Sequence, residues 1–371
     1  MRRLHTIAGA AALALVAGAV GVPHAEAARP QRTLASGLIS PLSVAVADSG
    51  TTYVTQNFTG TLDKLRPGRS PKVLYQSTGG HEVGGVSVRD GRVLFTETVE
   101  DAEGNHPATW VKVLRRHGKA RVVADMAAYE RRTNPDGKVT YGARGISSSC
   151  ASQWPTDMAG PPTYPGSVDS HPYATWQTRR LTYVADAGMN AIVSINRRGR
   201  LHTVAVLPAV PVKITKELVA GFVSQGVDIP SCAIGLTYFG EPVPTDVQKA
   251  PDGRLLVTTE GGFLGEQMPL GALYRIKGRK AHKIAGGLST PTGLAVGRRG
   301  TVYVAQLFGG EISMIRRGSH HARTFASVNM PGALDFSHRH LYATTDVLVG
   351  VPMDPSAPPS APGGKVVRFR R

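Results

Sequence analysis

The stretch Leu181-Thr182-Tyr183-Val184-Ala185-Asp186 contains the pattern that decides the fold. Aromatic, β-branched and aliphatic residues fill it, and it ends on a carboxylate beside a glycine-containing turn. Runs of this kind between turn residues predict half-buried β-strands. Five further segments repeat the pattern, at residues 51–56, 92–97, 254–260, 301–306 and 340–346.

The spacing of these six copies indicates a repeat architecture. Counted from Tyr53 through Leu94, Tyr183, Leu256, Tyr303 and Tyr342, the steps are 41, 89, 73, 47 and 39 residues. Three steps are close to the length of a four-stranded propeller blade, roughly 40 to 50 residues, and the other two equal a blade plus an insertion. The sequence therefore predicts an all-β chain folded as a six-bladed β-propeller.

Each repeat also predicts its other strands. Residues 42–46 and 292–296 have the pattern of first strands, and residues 191–195 and 272–276 that of third strands. Residues 31–35 form an extra strand before the first repeat, whereas the last repeat has only three strands, at 332–336, 340–344 and 365–370. We expect the extra strand to complete the last blade and close the ring, because closure leaves only short sheet edges.

Composition agrees with this fold class and excludes several others. The 43 glycines and 26 prolines favour turns over long helices. A hydrophobic share of 41% supports a packed core and excludes a disordered chain, and two cysteines are too few for a disulfide-dense miniprotein. The net charge of +17 predicts attraction for anions.

The N-terminus predicts export. Arg2 and Arg3 precede an apolar run at residues 13–22, and Ala25 and Ala27 form an A-x-A cleavage site. We expect a signal peptide over residues 1–27, a mature propeller over residues 28–371 and a secreted, extracellular protein. The export route, Sec or Tat, stays open. No later segment reaches the length of a membrane span.

Several motifs, in this order along the chain, resemble those of the ScyD/ScyE family. These are Ala124-Asp125-Met126-Ala127-Ala128-Tyr129-Glu130, Asn134-Pro135-Asp136-Gly137, Asp169-Ser170-His171-Pro172-Tyr173 and Val243-Pro244-Thr245-Asp246-Val247. The family consists of exported β-propeller proteins related to NHL-type and SMP-30-like propellers, so the resemblance implies the same fold. It leaves the activity open. His171 stands where the family usually has asparagine.

Two further departures from the family are insertions at about 138–168 and 209–240, each with one cysteine. Both follow a fourth strand and precede a first strand, so both are expected on the same face, on either side of one blade. A pair of cysteines in an exported chain suggests a disulfide. We therefore predict a Cys150–Cys232 bridge restraining two long loops that bury little of their own.

Polar residues follow most second strands or precede first strands, which places them at one mouth of the propeller channel. The expected ligand-binding residues are Gln56, Asn57, Glu97, Asp186, Asn190, Asp246, Glu260, Gln306 and Asp346. The candidate catalytic residues are His81, Glu82, Asp169 and His171.

Three interpretations of this polar ring stay open. In the first, the side chains cap strand ends and bind water. In the second, they hold Ca²⁺ or Mg²⁺, as gluconolactonase-type propellers do at this location. In the third, either His81 or His171 is a general base, and Glu82 or Asp169 orients it. The metal ligands would come from the carboxylates Glu97, Asp186, Asp246, Glu260 and Asp346.

Two function classes follow from these interpretations. The first is a secreted binding or interaction module that recognises a small molecule, glycan or partner protein at the mouth. The alternative is a divalent-metal-assisted lactonase or lyase. Arginine doublets recur at the predicted hairpins, for example Arg197-Arg198 and Arg298-Arg299, and suggest contact with an anionic cell-wall polymer. Nucleic acid is not expected, because aromatic residues do not alternate with the basic ones.

Overall fold

The computed structural model describes residue 29 and residues 31–66, 69–351 and 360–370. The predicted signal peptide, residues 1–27, lies outside the described residues. Within the described part, the chain forms seven four-stranded antiparallel sheets. Six of them are the blades of a β-propeller, as predicted, and the seventh is built from the two insertions.

The strands follow the chain in blade order. β1 (Gln31–Leu38) precedes blade 1. Blade 1 contains β2 (Ser43–Val46), β3 (Thr52–Gln56), β4 (Thr61–Arg66) and β5 (Arg69–Gln76). Blade 2 contains β6 (Glu82–Arg89), β7 (Arg92–Val99), β8 (Ala108–Leu114) and β9 (Ala120–Asp125). α1 (Met126–Thr133) follows blade 2, and the first insertion then contains β10 (Thr140–Arg144), α2 (Ser148–Ala151), α3 (Thr156–Ala159) and β11 (Thr163–Pro165).

Blade 3 and the second insertion come next. Blade 3 contains β12 (Pro172–Gln177), β13 (Leu181–Asp186), β14 (Ala191–Asn196) and β15 (Leu201–Val206). The second insertion contains β16 (Val210–Lys213), α4 (Lys216–Ser224) and β17 (Thr237–Gly240).

Three blades complete the ring. Blade 4 contains β18 (Pro244–Lys249), β19 (Leu255–Thr259), α5 (Gly262–Gln267), β20 (Gly271–Lys277) and β21 (Lys280–Leu288). Blade 5 contains β22 (Pro291–Val296), β23 (Val302–Gln306), β24 (Glu311–Ile315) and β25 (Arg323–Ser327). Blade 6 contains β26 (Leu334–Ser337), β27 (His340–Thr345) and β28 (Gly364–Phe369).

The predicted closure of blade 6 is confirmed. β1 pairs antiparallel with β28, with Gln31 opposite Phe369 and Leu38 opposite Gly364, and it becomes the outermost strand of the blade. The two ends of the described chain are thus joined by a backbone ladder. The predicted extra strand was three residues shorter than the observed one.

Hydrophobic clusters hold the blades to one another. One buried cluster lies between each pair of neighbouring blades, including blades 6 and 1, where Leu38, Val44 and Val366 meet. The first strands of the six blades contact one another in cyclic order. The ring is therefore continuous through side-chain packing, although neighbouring blades share no strand ladder.

Side-chain hydrogen bonds add to this packing along the channel. Asp335 of blade 6 accepts a hydrogen bond from the Val46 backbone N–H of blade 1 at 2.6 Å, and Thr292 of blade 5 donates to the Gly332 carbonyl of blade 6 at 2.7 Å. These bonds satisfy backbone groups of strands that have no hydrogen-bonded neighbour on the channel side.

The insertions are more ordered than we predicted from the sequence. Their strands form one sheet in the order β11-β10-β17-β16, so each insertion supplies two neighbouring strands. A separate hydrophobic cluster supports this sheet and includes Trp154, Ile214 and Ile229. The expectation that the insertions bury little of their own is wrong, because two segments that are each too short for a core share one.

The predicted disulfide is confirmed, and its Cys150 belongs to this shared cluster. Cys150 and Cys232 are bonded, with their Cα atoms 5.9 Å apart, and Cys150 is buried. Among the described residues, none of the helices is long and apolar enough to cross a membrane.

Removing β1 should open the ring. We expect a chain that begins at Gly37 to aggregate or to melt far below the chain that begins at residue 29, because β28 would lose its outer neighbour and present an unpaired edge. As a milder test, Leu38→Ala should cost about 2–5 kcal/mol of unfolding free energy, since Leu38 is buried between blades 6 and 1. Unchanged melting of the shortened chain would contradict closure by β1.

Loss of the disulfide should destabilise the insertions. The bridge closes a loop with a sequence separation of 82, for which the chain-entropy treatment gives about 4.5 kcal/mol. We expect Cys150→Ala/Cys232→Ala to lower the denaturation midpoint, and dithiothreitol to lower that of the wild type alone. Equal midpoints for the oxidised wild type and the double variant would show that the bridge adds no stability.

Candidate functional site at the channel mouth

The topology places polar groups on one face of the propeller. Connections from second to third strands, and from each fourth strand to the next first strand, emerge on the same side, which we call the mouth face. The hairpins from first to second and from third to fourth strands lie on the opposite side, the hairpin face. Both insertions precede a first strand and thus belong to the mouth face.

A histidine–carboxylate pair bridges blades 2 and 3 on the mouth face. His171 Nε2 lies 2.8 Å from Glu82 Oε2, and the other Glu82 oxygen accepts a hydrogen bond from Asn57 Nδ2 of blade 1 at 2.8 Å. Burial alone would lower the pKa of His171, but the charge and hydrogen bond of Glu82 outweigh it and raise the pKa to about 9. His171 is therefore a cation at neutral pH.

A second pair stands directly against the first. His106 Nδ1 lies 2.8 Å from Asp169 Oδ1, and the His106 and His171 rings stack with centroids 4.6 Å apart. Burial favours the neutral form of Asp169, but the hydrogen bond and charge of His106 lower its pKa. The Asp169 side chain is 33% exposed, so this carboxylate is accessible from outside.

His106 was missed by sequence reasoning. It lies in the long connection between β7 and β8, 63 residues from its partner Asp169. Neither a repeat nor a motif marks it. The one signal that could have identified His106 is its position between a second and a third strand, because such connections open onto the mouth face.

Asp186 holds the segment that carries His171. Its oxygens accept hydrogen bonds from Ser170 Oγ, the His171 backbone N–H and the Met189 backbone N–H at 2.8, 2.8 and 3.1 Å. Asp186 is fully buried, and burial raises its pKa to about 6 despite these bonds. It is placed to fix the position of His171, with both oxygens already occupied.

His81, the other candidate base, belongs to a different cluster. Its Nδ1 lies 3.1 Å from Glu97 Oε1, and Glu97 Oε2 contacts the Tyr75 hydroxyl at 2.6 Å and Lys112 Nζ at 2.7 Å. Burial would raise the pKa of Glu97, but hydrogen bonds from Lys112, Tyr75 and His81 lower it. The structure thus brings His171 together with Glu82, and His81 together with Glu97.

Glu260 supplies a third polar group from blade 4. It is half-buried at the end of β19, and its carboxyl group has no hydrogen-bond partner among the described residues. Burial and the negative charge of Glu266 raise its pKa to about 8, whereas the positive charge of His171 acts in the opposite sense. Glu260 is therefore mainly protonated at neutral pH.

The remaining candidates are engaged inside the scaffold. Gln56 and Gln306 bond within their own blades, Gln56 to Asp63 at 2.7 Å and Gln306 to Glu311 at 2.7 Å. Asp346 bonds Asn329 and Lys365, 3.0 and 3.1 Å away.

Asn190 and Asp246 also make structural contacts. Asn190 Nδ2 donates to Asp136 and to Glu241 at 2.9 Å each, and its backbone N–H bonds the carbonyl of Ala187. Asp246 accepts from the Leu294 and Val247 backbone N–H groups at 2.8 and 2.6 Å and lines the channel. Burial raises the pKa of Asp246 to about 7.

The channel below the mouth is narrow. Residues from all six first-strand regions line a cavity of about 160 Å³, including Tyr173, Asp246 and Asp335. Ligand pockets usually have roughly 300–1,000 Å³. The channel interior suits water or part of a ligand, and a larger molecule would stay at the mouth.

The described residues do not show a metal centre. No group of three or more histidine, cysteine, aspartate or glutamate side chains among them has an arrangement suited to a metal ion. Of the five carboxylates expected to supply ligands, Glu97, Asp186 and Asp246 already bond protein donors at both oxygens. Ca²⁺ or Mg²⁺ binding stays a prediction.

A buried carboxyl group without a partner lies behind the site. Glu130 of α1 is 1% exposed, and neither of its oxygens has a hydrogen-bond partner among the described residues. Burial raises its pKa to about 9, with further increases from the charges of Asp186, Asp136 and Asp169. Glu130 therefore stays protonated at neutral pH.

Glu130 should make the protein less stable as the pH rises. Its pKa is 4.5 when exposed and about 9 in the fold, so above pH 4.5 only the unfolded chain ionises and stability falls until the pH reaches about 9. We expect Glu130→Gln to raise the unfolding free energy more at pH 8 than at pH 5, measured in urea. The exposed control Glu103→Gln should change neither value. A Gln variant that is less stable at both pH values would contradict a neutral Glu130.

Comparisons with known proteins support the fold alone. No family model matches the chain, and no curated protein matches it. Solved structures similar to it include a Thermus thermophilus protein assigned as an oxidoreductase (glucose dehydrogenase), with 16% identity, TM-score 0.56 and coverage of 92% of this chain and 100% of that one.

Two further solved structures are similar to this chain at a comparable level of identity. The PQQ-bound aldose sugar dehydrogenase of Streptomyces coelicolor has 14% identity and a TM-score of 0.55, covering 91% of this chain and 96% of its own. A gluconolactonase of Xanthomonas campestris has 10% identity and a TM-score of 0.53, covering 91% and 89%. These similarities support the propeller fold, and membership of the ScyD/ScyE family stays a prediction.

Proposed function

We propose that the mouth between blades 2, 3 and 4 binds a small polar molecule or the end of a glycan. The observation that carries this proposal is the convergence of the His171–Glu82 and His106–Asp169 pairs, whose rings stack at 4.6 Å. Capping the ends of strands does not require four ionisable groups to converge from separate segments of the chain. Clusters of ionisable groups with shifted pKa values are concentrated at functional sites.

The protonation states suggest what the ligand presents. Protonated His171 and neutral Glu260 are hydrogen-bond donors at neutral pH, and the exposed Asp169 carboxylate is an acceptor. A ligand with hydroxyl and carbonyl oxygens, such as a sugar or sugar acid, would match both kinds of group. The narrow channel would keep it at the mouth.

A proton-transfer enzyme of the lactonase or lyase type is the second candidate. It is favoured by the pKa of Glu260, about 8, and that of His171, about 9, because both groups could donate or accept a proton near neutral pH. The structural similarity to a gluconolactonase agrees with this candidate but does not carry it. In this scheme protonated His171 would donate its proton to a leaving or carbonyl oxygen of the substrate. Before that transfer, Glu82 would stabilise the positively charged imidazole ring of His171.

Export of the chain is part of the proposal. A disulfide in a chain with two cysteines fits an oxidising compartment, which the sequence of residues 1–27 also predicts.

The test combines a titration, a binding assay and an activity assay on His171→Gln and Glu82→Gln. In wild type, the His171 signal in NMR should titrate near 9, and in Glu82→Gln it should move towards 6.5 as the opposing charge is lost. The stabilisation from the raised pKa of His171 is complete below pH 6.5 and is lost as the pH rises through 9. Because Glu130 lowers the stability of wild type and variant alike as the pH rises to about 9, the expected result is a steeper decline in the wild type than in Glu82→Gln.

The same variants separate the two candidate functions. Saturation-transfer NMR with gluconate measures binding, and hydrolysis of glucono-1,5-lactone measures catalysis. His202→Gln, at an exposed position of β15 in blade 3, is the matched control and should leave both readouts unchanged. Binding without turnover supports the binding module, and turnover lost in His171→Gln supports the enzyme. Identical gluconate signals from wild type and both site variants would contradict a ligand site at the mouth.

A further inference from the structure

The hairpin face, opposite the mouth, is covered with basic side chains. In blade 3 the two hairpins carry Arg179–Arg180 and Arg197–Arg198, and in blade 5 they carry Arg298–Arg299 and Arg316–Arg317, all exposed. Each doublet occupies a turn between neighbouring strands of its sheet. Because the fold brings all such turns to one end, basic residues that are scattered along the sequence lie on one face of the propeller.

Acidic residues do not balance this surface. Within the described hairpins, the acidic residues are Asp48, Asp90 and Asp252. Asp90 pairs with Arg89 and Asp252 with Arg254, each at 3.5 Å, and these are the ion pairs of this face among the described residues. Most of the arginines there have no carboxylate partner, whereas the carboxylates of the candidate site lie on the opposite face.

Like charges are crowded together in blade 2. Burial and the positive charges of Arg121 and Arg115 lower the pKa of Arg92. Crowding of this kind costs stability unless an anion is bound. It identifies positions where a ligand would relieve repulsion.

A cleft opens in the same surface, where the first-to-second hairpins of blades 1, 4, 5 and 6 meet. Its volume is about 370 Å³, which lies in the usual range for ligand pockets. Its lining includes the cationic residues Lys249 and Arg298, together with Ser337 and His338, which are hydrogen-bonded to each other at 2.9 Å. Asp48 is the one carboxylate among the lining residues.

We propose that the hairpin face binds a linear polyanion with closely spaced phosphate groups, and that one phosphate occupies this cleft. Arginine forks pair well with phosphate oxygens, and the basic hairpins would take successive groups of the same chain. Each phosphate of such a chain carries a negative charge close to that of its neighbour, so one chain can pair with the cleft and with several basic hairpins at once.

Two other partners fit this face less well. The most exposed aromatic side chains, Phe58 and Phe263, lie in connections between second and third strands, on the mouth face. The described hairpins carry no exposed Phe, Tyr or Trp, so they offer nothing for nucleobases to stack on and nothing aromatic to insert into a bilayer. This proposal does not depend on the function of the mouth.

The test measures binding of the full chain to end-immobilised long-chain inorganic polyphosphate. We expect affinity to fall steeply with salt, and tripolyphosphate to compete far less well than the long chain at equal phosphate concentration, since avidity needs several hairpins. Arg298→Glu/Arg299→Glu should weaken binding by about tenfold or more. Lys138→Glu/Lys216→Glu, an equal change of charge at exposed positions in the two insertions, is the matched control and should have a much smaller effect.

A substitution at Asp48 should have the opposite effect on binding and strengthen it. Asp48→Asn removes the one carboxylate of the cleft lining, so polyphosphate should bind more tightly. This gain separates a site in the cleft from attraction by net charge, because the same substitution at Asp157, which is exposed in the first insertion, should give a smaller gain.

Four results would overturn the proposal. Equal loss of affinity in the two double-glutamate variants would reduce the effect to net charge. Polyglutamate that competes as well as polyphosphate would remove the preference for phosphate. Tighter binding to single-stranded DNA of matched charge would identify a nucleic acid partner. Capture by phosphatidylserine vesicles, with no binding to polyphosphate, would identify a membrane surface.

Discussion

The pairing of β1 with β28 is the interaction on which the rest of the structure depends. A propeller blade has no backbone ladder to its neighbours, so a ring of blades can separate wherever packing is weakest. Here the weakest point would be between the two ends of the chain, and it is closed by the ladder from Gln31–Phe369 to Leu38–Gly364. Leu38 also enters the hydrophobic cluster between blades 6 and 1, so one strand supplies both the backbone and the apolar contact. The clusters between the other blades can then act together, because none of them lies at an open end.

The same architecture explains how the mouth is built. Side chains at the inner ends of different blades approach one another across the mouth, although they are far apart in the sequence: His171 and Glu82 are separated by 89 residues. Their relative position depends on how blades 2 and 3 pack, through the cluster that contains Leu94, Val184 and Met189. Asp186 then fixes the His171 backbone. The apolar packing thus sets the geometry of the polar site, and a change between the blades would alter the mouth without touching it.

The sequence predicted the repeating parts of this molecule and missed the contacts between them. Six copies of one strand pattern determine the blades, and the surplus strand at 31–35 indicated closure. The shared sheet of the insertions was not predicted, because neither insertion alone has a core and their pairing, Ala143 opposite Tyr238, joins residues of different segments. The partners of the histidines were only partly foreseen. His81 and Glu82 are consecutive, but β6 begins only at Glu82, and their side chains have different partners: His81 contacts Glu97, whereas Glu82 contacts His171. His106 has no local signal at all.

The distribution of charge follows from topology as well. Turns between neighbouring strands of a blade need glycine and tolerate long, solvated side chains, so arginine can accumulate there without disturbing the cores, as in Arg197-Arg198-Gly199. Strand ends at the mouth are enclosed by neighbouring blades and insertions, where a cation would have to be paired, and carboxylates that accept backbone or histidine hydrogen bonds are better suited. The two faces therefore differ in charge because they differ in burial. Some of the acidic groups are buried in the fold, among them Glu97 and Asp186, whereas the arginine doublets of the hairpin face are exposed. Anionic molecules would therefore meet this face first, and the mouth is left to ligands that match its paired and partly protonated groups.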